Sequence, residues 1–327
     1  MSTQGYSSYP NGFTIGMTLK GLPVNASYPG QVFWVNNSTV PPVGGITGSN
    51  GNPGTYAKPF STVLYAISKC VANRGDVILV GPGHAETISS ATVLTLNKAG
   101  VAIIGMGTGS LRPTFTFTTA TTANIPLTAA NVALKNLLFV ANFADIVSAI
   151  TVTGTSLASG FIMENCEFRD SSSVLNFIKC LTGNATANCL AGAYISQNQV
   201  YGLATTAATQ MCIMAAAQDR QNYLGNYVVY PALNDTAALV DFGANNQTNL
   251  LMDSNYVVRP STSTTGGSLF SGSSTACTGY VTNNYSWHLD ATAALLAPTG
   301  TKLGYQNNYC MITGAADKSG LINPAAV

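Results

Sequence analysis

The chain has 327 residues, of which only 8% are charged, with a net charge of +1. So sparse and balanced a charge excludes the basic stripe of a nucleic-acid binder and the polybasic segment of a membrane-surface protein. The longest apolar stretch, at 146–152, falls far short of the roughly 18 residues of a membrane span. The opening MSTQGYSSYPNGF shows neither the charged nor the apolar region of a signal peptide. Gly, Ala, Ser, Thr and Asn take the places usually held by Lys and Glu, which favours sheet and turn over helix. Seven cysteines, at 70, 166, 180, 189, 212, 277 and 310, include no C-x-x-C pair and read as buried small hydrophobes in a reducing compartment.

Residues 1–43 are rich in Gly, Pro, Ser, Asn and Tyr and have no periodicity. They read as an extended arm that docks on a partner surface through Tyr6, Tyr9, Phe13, Tyr28, Phe33 and Trp34. Residues 44–75 form a loop followed by a helix. The apolar positions Phe60, Val63, Leu64, Ile67, Cys70 and Val71 fall on one helical face behind Pro59. Asp76–Val80 follows as a short buried strand, halted by Gly81-Pro82-Gly83.

Beyond this point the sequence repeats. Asn136, Asn165, Asn198, Asn226, Asn255, Asn284 and Asn308 are each followed three residues later by a large apolar or aromatic side chain. The steps between them are 29, 33, 28, 29, 29 and 24 residues. A period this short buries too little to fold alone, so it must stack. These features predict an all-β fold, a single right-handed parallel β-helix over 76–311. Its asparagines sit at bends, tolerate left-handed φ and bond to one another in a ladder. The long step of 33 predicts a loop protruding at 183–191. The helix is placed to cover the amino-terminal end, and 312–327 forms a tail or cap at the other.

Gly51-x-x-Gly54-Thr55-Tyr56-x-x-Pro59-Phe60-x-Thr62, then Ala66-Ile67, then Gly75-Asp76-x-Ile78-x-Val80-x-Pro82-Gly83 with Glu86, resembles the amino-terminal start of pectate-lyase-like β-helices. In that family a short helix caps the first rung and the Gly-Asp stretch forms the first core strand. The resemblance covers about 45 residues as a motif. It implies fold rather than activity, because the same fold serves polysaccharide lyases, phage tail spikes and structural virion proteins. The whole chain also resembles bacteriophage virion proteins, which implies a homotrimer on a phage particle.

The chemistry is sparse. Twelve carboxylates are spread along the chain. Their one local cluster, Glu164, Glu167, Arg169 and Asp170, reads as a solvated patch with Glu167 pointing outward. Counting from the asparagines puts Arg169, Arg259 and His288 on one side of the helix in different layers. Arg74-Gly75-Asp76 reads as a turn into a strand, and Gly105-x-Gly107-x-Gly109 as a rung turn. His84 and His288 are too few and too far apart for a metal site. No catalytic, metal or cofactor site is therefore expected, and the chain reads as a protein without enzymatic activity.

The reading that follows is a structural virion protein, a capsid decoration or cement protein. It would be made in the host cytoplasm and bind the major capsid protein through its arm. The alternative is a tail spike or polysaccharide lyase or hydrolase acting on host surface glycan. Tyr201, Tyr230, Tyr256, Tyr285 and Trp287 would then offer an aromatic stripe.

Overall fold

The structure, a computed structural model, describes residues 17–19, 22–24, 30–41, 44–204, 209–230, 238–259, 269–271, 276–288, 302–312 and 320–322. The expected arm contacts Tyr6, Tyr9, Phe13 and Tyr28, and most of the expected tail at 312–327, lie outside these residues.

The chain forms a right-handed parallel β-solenoid with almost no helix. It cycles through three sheets. Sheet A runs from Val32–Val35 through Val77–Val80, Ala102–Gly105, Ala133–Lys135, Ile162–Glu164, Tyr194–Ser196, Asn222–Leu224, Leu250–Asp253 and Thr278–Thr282 to Lys302–Gln306. Sheet B runs from Ala85–Ile88 through Thr114–Phe117, Leu138–Ala141, Glu167–Asp170, Gln199–Tyr201, Tyr227–Val229, Tyr256–Arg259 and Tyr285–His288 to Asn308–Ile312. Gly320–Ile322 adds to its end in the antiparallel sense. Sheet C stacks Ile125–Leu127, Ile150–Val152, Lys179–Gly183, Gln210–Met214, Val240–Asp241 and Phe270–Ser271.

Short strands are stable here because equivalent positions pair in register, so each apolar column becomes continuous. Ile78, Ile103, Leu134, Met163, Ile195, Tyr223, Met252 and Val281 form one such buried column on sheet A. On sheet B, Phe115, Phe139 and Phe168 stack with ring centroids 5.8 and 4.9 Å apart. Each such side chain contributes roughly 1.5–3 kcal/mol by leaving water. Among the described residues, six cysteines are buried thiols. Burial pushes the thiols of Cys70 and Cys166 up to about 12, so they act as small hydrophobes.

The predicted helix is present but shorter, Val63–Lys69, with Val63, Ala66 and Ile67 buried. Thr62 caps it, and the Val63 N–H donates to Glu86 Oε1 at 2.6 Å. Phe60 precedes the helix and bridges to Val35, and Val71 is half exposed.

Two expectations need correction. Phe33 and Trp34 do not belong to an arm. They lie in the first strand of sheet A, paired in register with Ile78 and Leu79. Phe33 packs on Phe60, and Trp34 packs on Tyr56. The solenoid therefore begins before the loop at 44–62, which folds back onto that strand: Trp34 N–H donates to Gly54 O, and Phe60 N–H to Trp34 O. Residues 183–191 do not protrude either. Cys189 and Leu190 are fully buried, and the Asn184 amide bonds back to Ser156 O. The largest share of the longer step is taken up in the turn from sheet B to sheet C, where Asp170 to Leu181 spans 11 residues and the equivalent Ala141 to Ile150 spans 9.

Candidate functional site

The bend from sheet A to sheet B organises the outer surface. There the side chains of Asn198, Asn226, Asn255, Asn284 and Asn308 are buried and stacked. Each amide donates to the oxygen of the next, at 3.0, 2.9, 2.9 and 2.9 Å. Each also donates to a carbonyl of the preceding strand layer: Met163, Ile195, Tyr223, Met252 and Val281. This is the expected ladder, shortened to five members.

Asn136 and Asn165 stand one place out of phase. They adopt left-handed φ of 55° and 52°, and their successors Leu137 and Cys166 occupy the buried position. From the next rung on, the left-handed residue is the one before the ladder asparagine: Gln197, Gly225, Ser254, Asn283 and Asn307. Both adjacent positions suit asparagine, one for its backbone tolerance and one for its amide. The repeat therefore slips by one residue between Asn165 and Asn198.

The slip undoes the expected alignment of Arg169, Arg259 and His288. Arg169 is in register with Tyr201 on the outer face. Arg259 is fully buried, in the inward column that contains Asp170, and is paired in register with His288. The aromatic stripe changes in the same way. Tyr230 is buried, whereas Tyr201, Tyr256 and Tyr285 are exposed.

The stripe that does form is Tyr227, Tyr256, Tyr285 and Tyr309, each immediately after a ladder asparagine, with Tyr201 diagonal to its head. Ring centroids along it lie 6.1, 5.2, 6.2 and 5.4 Å apart. Tyr227 and Tyr256 are within 4° of parallel, and Tyr285 and Tyr309 within 11°. The five rings are 37–49% exposed, so ring edges and hydroxyls form a row one strand apart on a rigid sheet. Burial, then the neighbouring Tyr256 and Tyr201, push the Tyr227 phenol up, which keeps that hydroxyl neutral.

Above the row, the same outer column continues through Gln199 to Glu167. Tyr201 Oη donates to Gln199 Oε1 at 3.3 Å. Glu167 does lie on the outer face, but it is covered rather than solvated. Arg112 reaches it at 3.0 Å, and Arg169 also bonds to it. The cluster expected around Glu164 divides three ways. Glu164 pairs with Lys135 on sheet A, Glu167 faces out from sheet B, and Asp170 turns into the interior.

Other carboxylates serve the framework. Asp76 binds the Arg74 guanidinium at 2.7 Å and accepts the N–H groups of Gln31 and Val71. Burial raises its pKa, but the Arg74 and backbone bonds outweigh that and hold it below the ordinary value. Asp219 takes Thr248 and Asn249, and Asp253 takes Thr282 and Asn283, each at turns of the next rung. Asp170 accepts Phe177 N–H at 2.9 Å and Leu203 N–H at 2.8 Å. Burial nevertheless pushes it up to about 6. Among the described residues, no group of three or more His, Cys, Asp or Glu is arranged to hold a metal.

No family model and no curated protein matches this chain. Among solved structures, it is similar to a rhamnogalacturonan lyase over 86% of its length and 74% of that chain, at 15% identity and a TM-score of 0.51. A GH136 lacto-N-biosidase from Eubacterium ramulus aligns over 86% of this chain and 68% of its own, at 11% identity and a TM-score of 0.37. The first likeness confirms the parallel β-helix. It also overturns the expectation of a protein without enzymatic activity, because the fold is shared with a lyase. The comparisons lend no support to a phage particle, a capsid or a trimer.

Proposed function

We propose that the chain is a glycan-directed β-helix. An extended polysaccharide lies along the helix axis on the outer face of sheet B. The observation that carries this reading is the row Tyr227, Tyr256, Tyr285 and Tyr309, with Tyr201 at its head. Tyrosine supplies a large, stiff contact with an apolar body and a polar tip at low entropic cost. A row of hydroxyls at strand spacing matches a polymer whose own hydroxyls recur along its length. Val229 and Trp287, half-buried in the neighbouring column, add apolar surface beside the row. The fold shared with a rhamnogalacturonan lyase favours a polysaccharide over a protein as the occupant.

Electrophoresis through gels containing a panel of acidic and neutral polysaccharides tests this. At least one polymer is expected to retard the protein. Joint replacement of Tyr227, Tyr256 and Tyr285 by Ala should weaken that binding by about a hundredfold, roughly 1 kcal/mol for each ring. Absence of retardation by every polymer, or unchanged retardation of the triple variant, would refute the proposal. New reducing ends or unsaturated uronates in the same mixtures would extend the function from binding to cleavage.

A further inference from the structure

The first two rungs hold a second concave site, away from the tyrosine row. Trp34, Asn36, Ser38, Val40, Tyr56 and Leu111 surround a cavity of about 330 Å³, with Gly81 and Pro82 among its remaining wall residues. That volume lies at the small end of ligand pockets. Trp34 and Tyr56 meet edge to face, with centroids 4.9 Å apart and planes at 75°, and so form two walls of a corner. All the residues lining the cavity are uncharged.

The walls are fixed from behind. Asn36 Oδ1 accepts the Ser38 N–H at 2.8 Å. Asn37 exchanges two hydrogen bonds with the backbone of Ala85, at 2.9 and 2.6 Å. The Asn37 N–H donates to His84 Nδ1 at 3.1 Å, which leaves the ring proton on Nε2, 2.8 Å from Glu86 Oε1. The same Glu86 oxygen takes the first N–H of the helix. This buried His84–Glu86 pair locks the segment carrying Trp34 and Asn36 to the next rung and to the helix. Gly81 is required at the wall, since a Cβ there would come within 2.8 Å of Asn36 Nδ2. Gly107 is required for the same reason, because a Cβ would lie 1.9 Å from Leu111 O and displace that wall.

We propose that this corner binds a single uncharged pyranose ring. One C–H face of the sugar lies against the Trp34–Tyr56 corner, and its hydroxyls bond the Asn36 amide and Ser38 hydroxyl. The absence of charged lining residues selects a neutral hexose over a uronate or phosphate ester. Leu111 at the rim is followed by Arg112, which bonds to Glu167 on the outer face of sheet B. Arg112 thus ties the rim of the pocket to the outer face of sheet B, and the pocket would take an end or branch sugar of the polymer proposed for the row. This inference rests on the glycan reading only for the ligand class.

The chain has two tryptophans, Trp34 and Trp287. In a Trp287→Phe background the indole emission reports on Trp34 alone. Free glucose, galactose, mannose and N-acetylglucosamine are titrated in turn. At least one should change the emission saturably. Tyr56→Ala, at a half-exposed position, and Gly81→Ala should each weaken that binding about tenfold. Tyr256→Ala should leave it unchanged. No saturable response to any of the four sugars, or binding that survives both pocket variants, overturns the proposal. Hexose binding lost in Tyr256→Ala but kept in Tyr56→Ala also overturns it, while leaving the tyrosine-row reading intact. Hexose binding by a protein that no polymer retards separates the two in the other direction.

Discussion

Asn284 Oδ1 accepts two hydrogen bonds from Asn255, one from its backbone N–H and one from its side-chain amide, both at 2.9 Å. The unit repeats on either side, since Asn255 Oδ1 takes the same pair from Asn226. Every polar atom of the Asn255 side chain is thus used inside a buried bend.

Asn255→Ala removes the acceptor of the Asn226 backbone N–H and of one Asn226 amide proton, and the amide that donates to the Tyr223 carbonyl; Asn284 Oδ1 keeps only the backbone N–H of residue 255. Buried groups left unpaired cost about 1–3 kcal/mol each, and partial relaxation recovers some of that. The expected loss is roughly 3–5 kcal/mol, read as a lower midpoint in urea. Asn165→Ala is the control. Its amide makes one long bond of 3.3 Å to Asn136, so the main cost is its left-handed φ, about 1 kcal/mol. Equal losses at the two positions would contradict the phase slip.

That slip marks how far the sequence could be read. The repeat of Asn136 through Asn308 identified the solenoid and the amide ladder. It could not separate the left-handed position from the buried one, because the two are neighbours and asparagine suits both. Counting three residues on from each asparagine therefore mixed inward Phe139 and Phe168 with outward Tyr201. The exposed tyrosine column is written in the sequence as Asn-Tyr, four times over at 226–227, 255–256, 284–285 and 308–309. The pocket at Trp34 was not legible. It depends on the first strand preceding the loop, and Val32–Val35 carries too few residues to show a period.

The tyrosine row separates ring contact from hydroxyl contact. Joint replacement of Tyr227, Tyr256 and Tyr285 by Phe keeps the stack and removes three hydroxyls. Stability should change by less than about 1 kcal/mol, since these side chains sit on the exposed outer face. Polysaccharide affinity should fall by roughly tenfold, less than for the alanine triple. Unchanged affinity in the phenylalanine variant would show that the hydroxyl row makes no contact with the polymer.

Glu86 joins three parts of the amino-terminal end through one buried carboxylate. Glu86→Ala removes the acceptor of the Val63 N–H and of His84 Nε2–H. The expected cost is about 2–4 kcal/mol for two stranded donors. It should be local, appearing in hydrogen exchange as faster exchange of the amides of Asn37 and Val63, with little change at Tyr256 or Tyr285. Uniform acceleration along the whole solenoid would mean that the rungs unfold as one unit instead.

Asp170 gives the clearest pH signature. Burial raises its folded pKa to about 6, despite the N–H bonds from Phe177 and Leu203. The folded state therefore holds this proton more tightly than the unfolded chain does. Its contribution is greatest below the ordinary carboxylate pKa and is lost as pH rises toward about 6. Asp170→Asn removes the titration and imposes a fixed cost, because its amide nitrogen cannot accept from a backbone N–H. The level of stability is thus uninformative, and the slope decides. The difference between wild type and variant should favour wild type most below about pH 4 and shrink steadily to about pH 6, with no further change above it. Thermal melts of both proteins across that range, subtracted pairwise, measure it. A flat difference, or one that grows with pH, would show that the Asp170 pKa is not raised in the folded state.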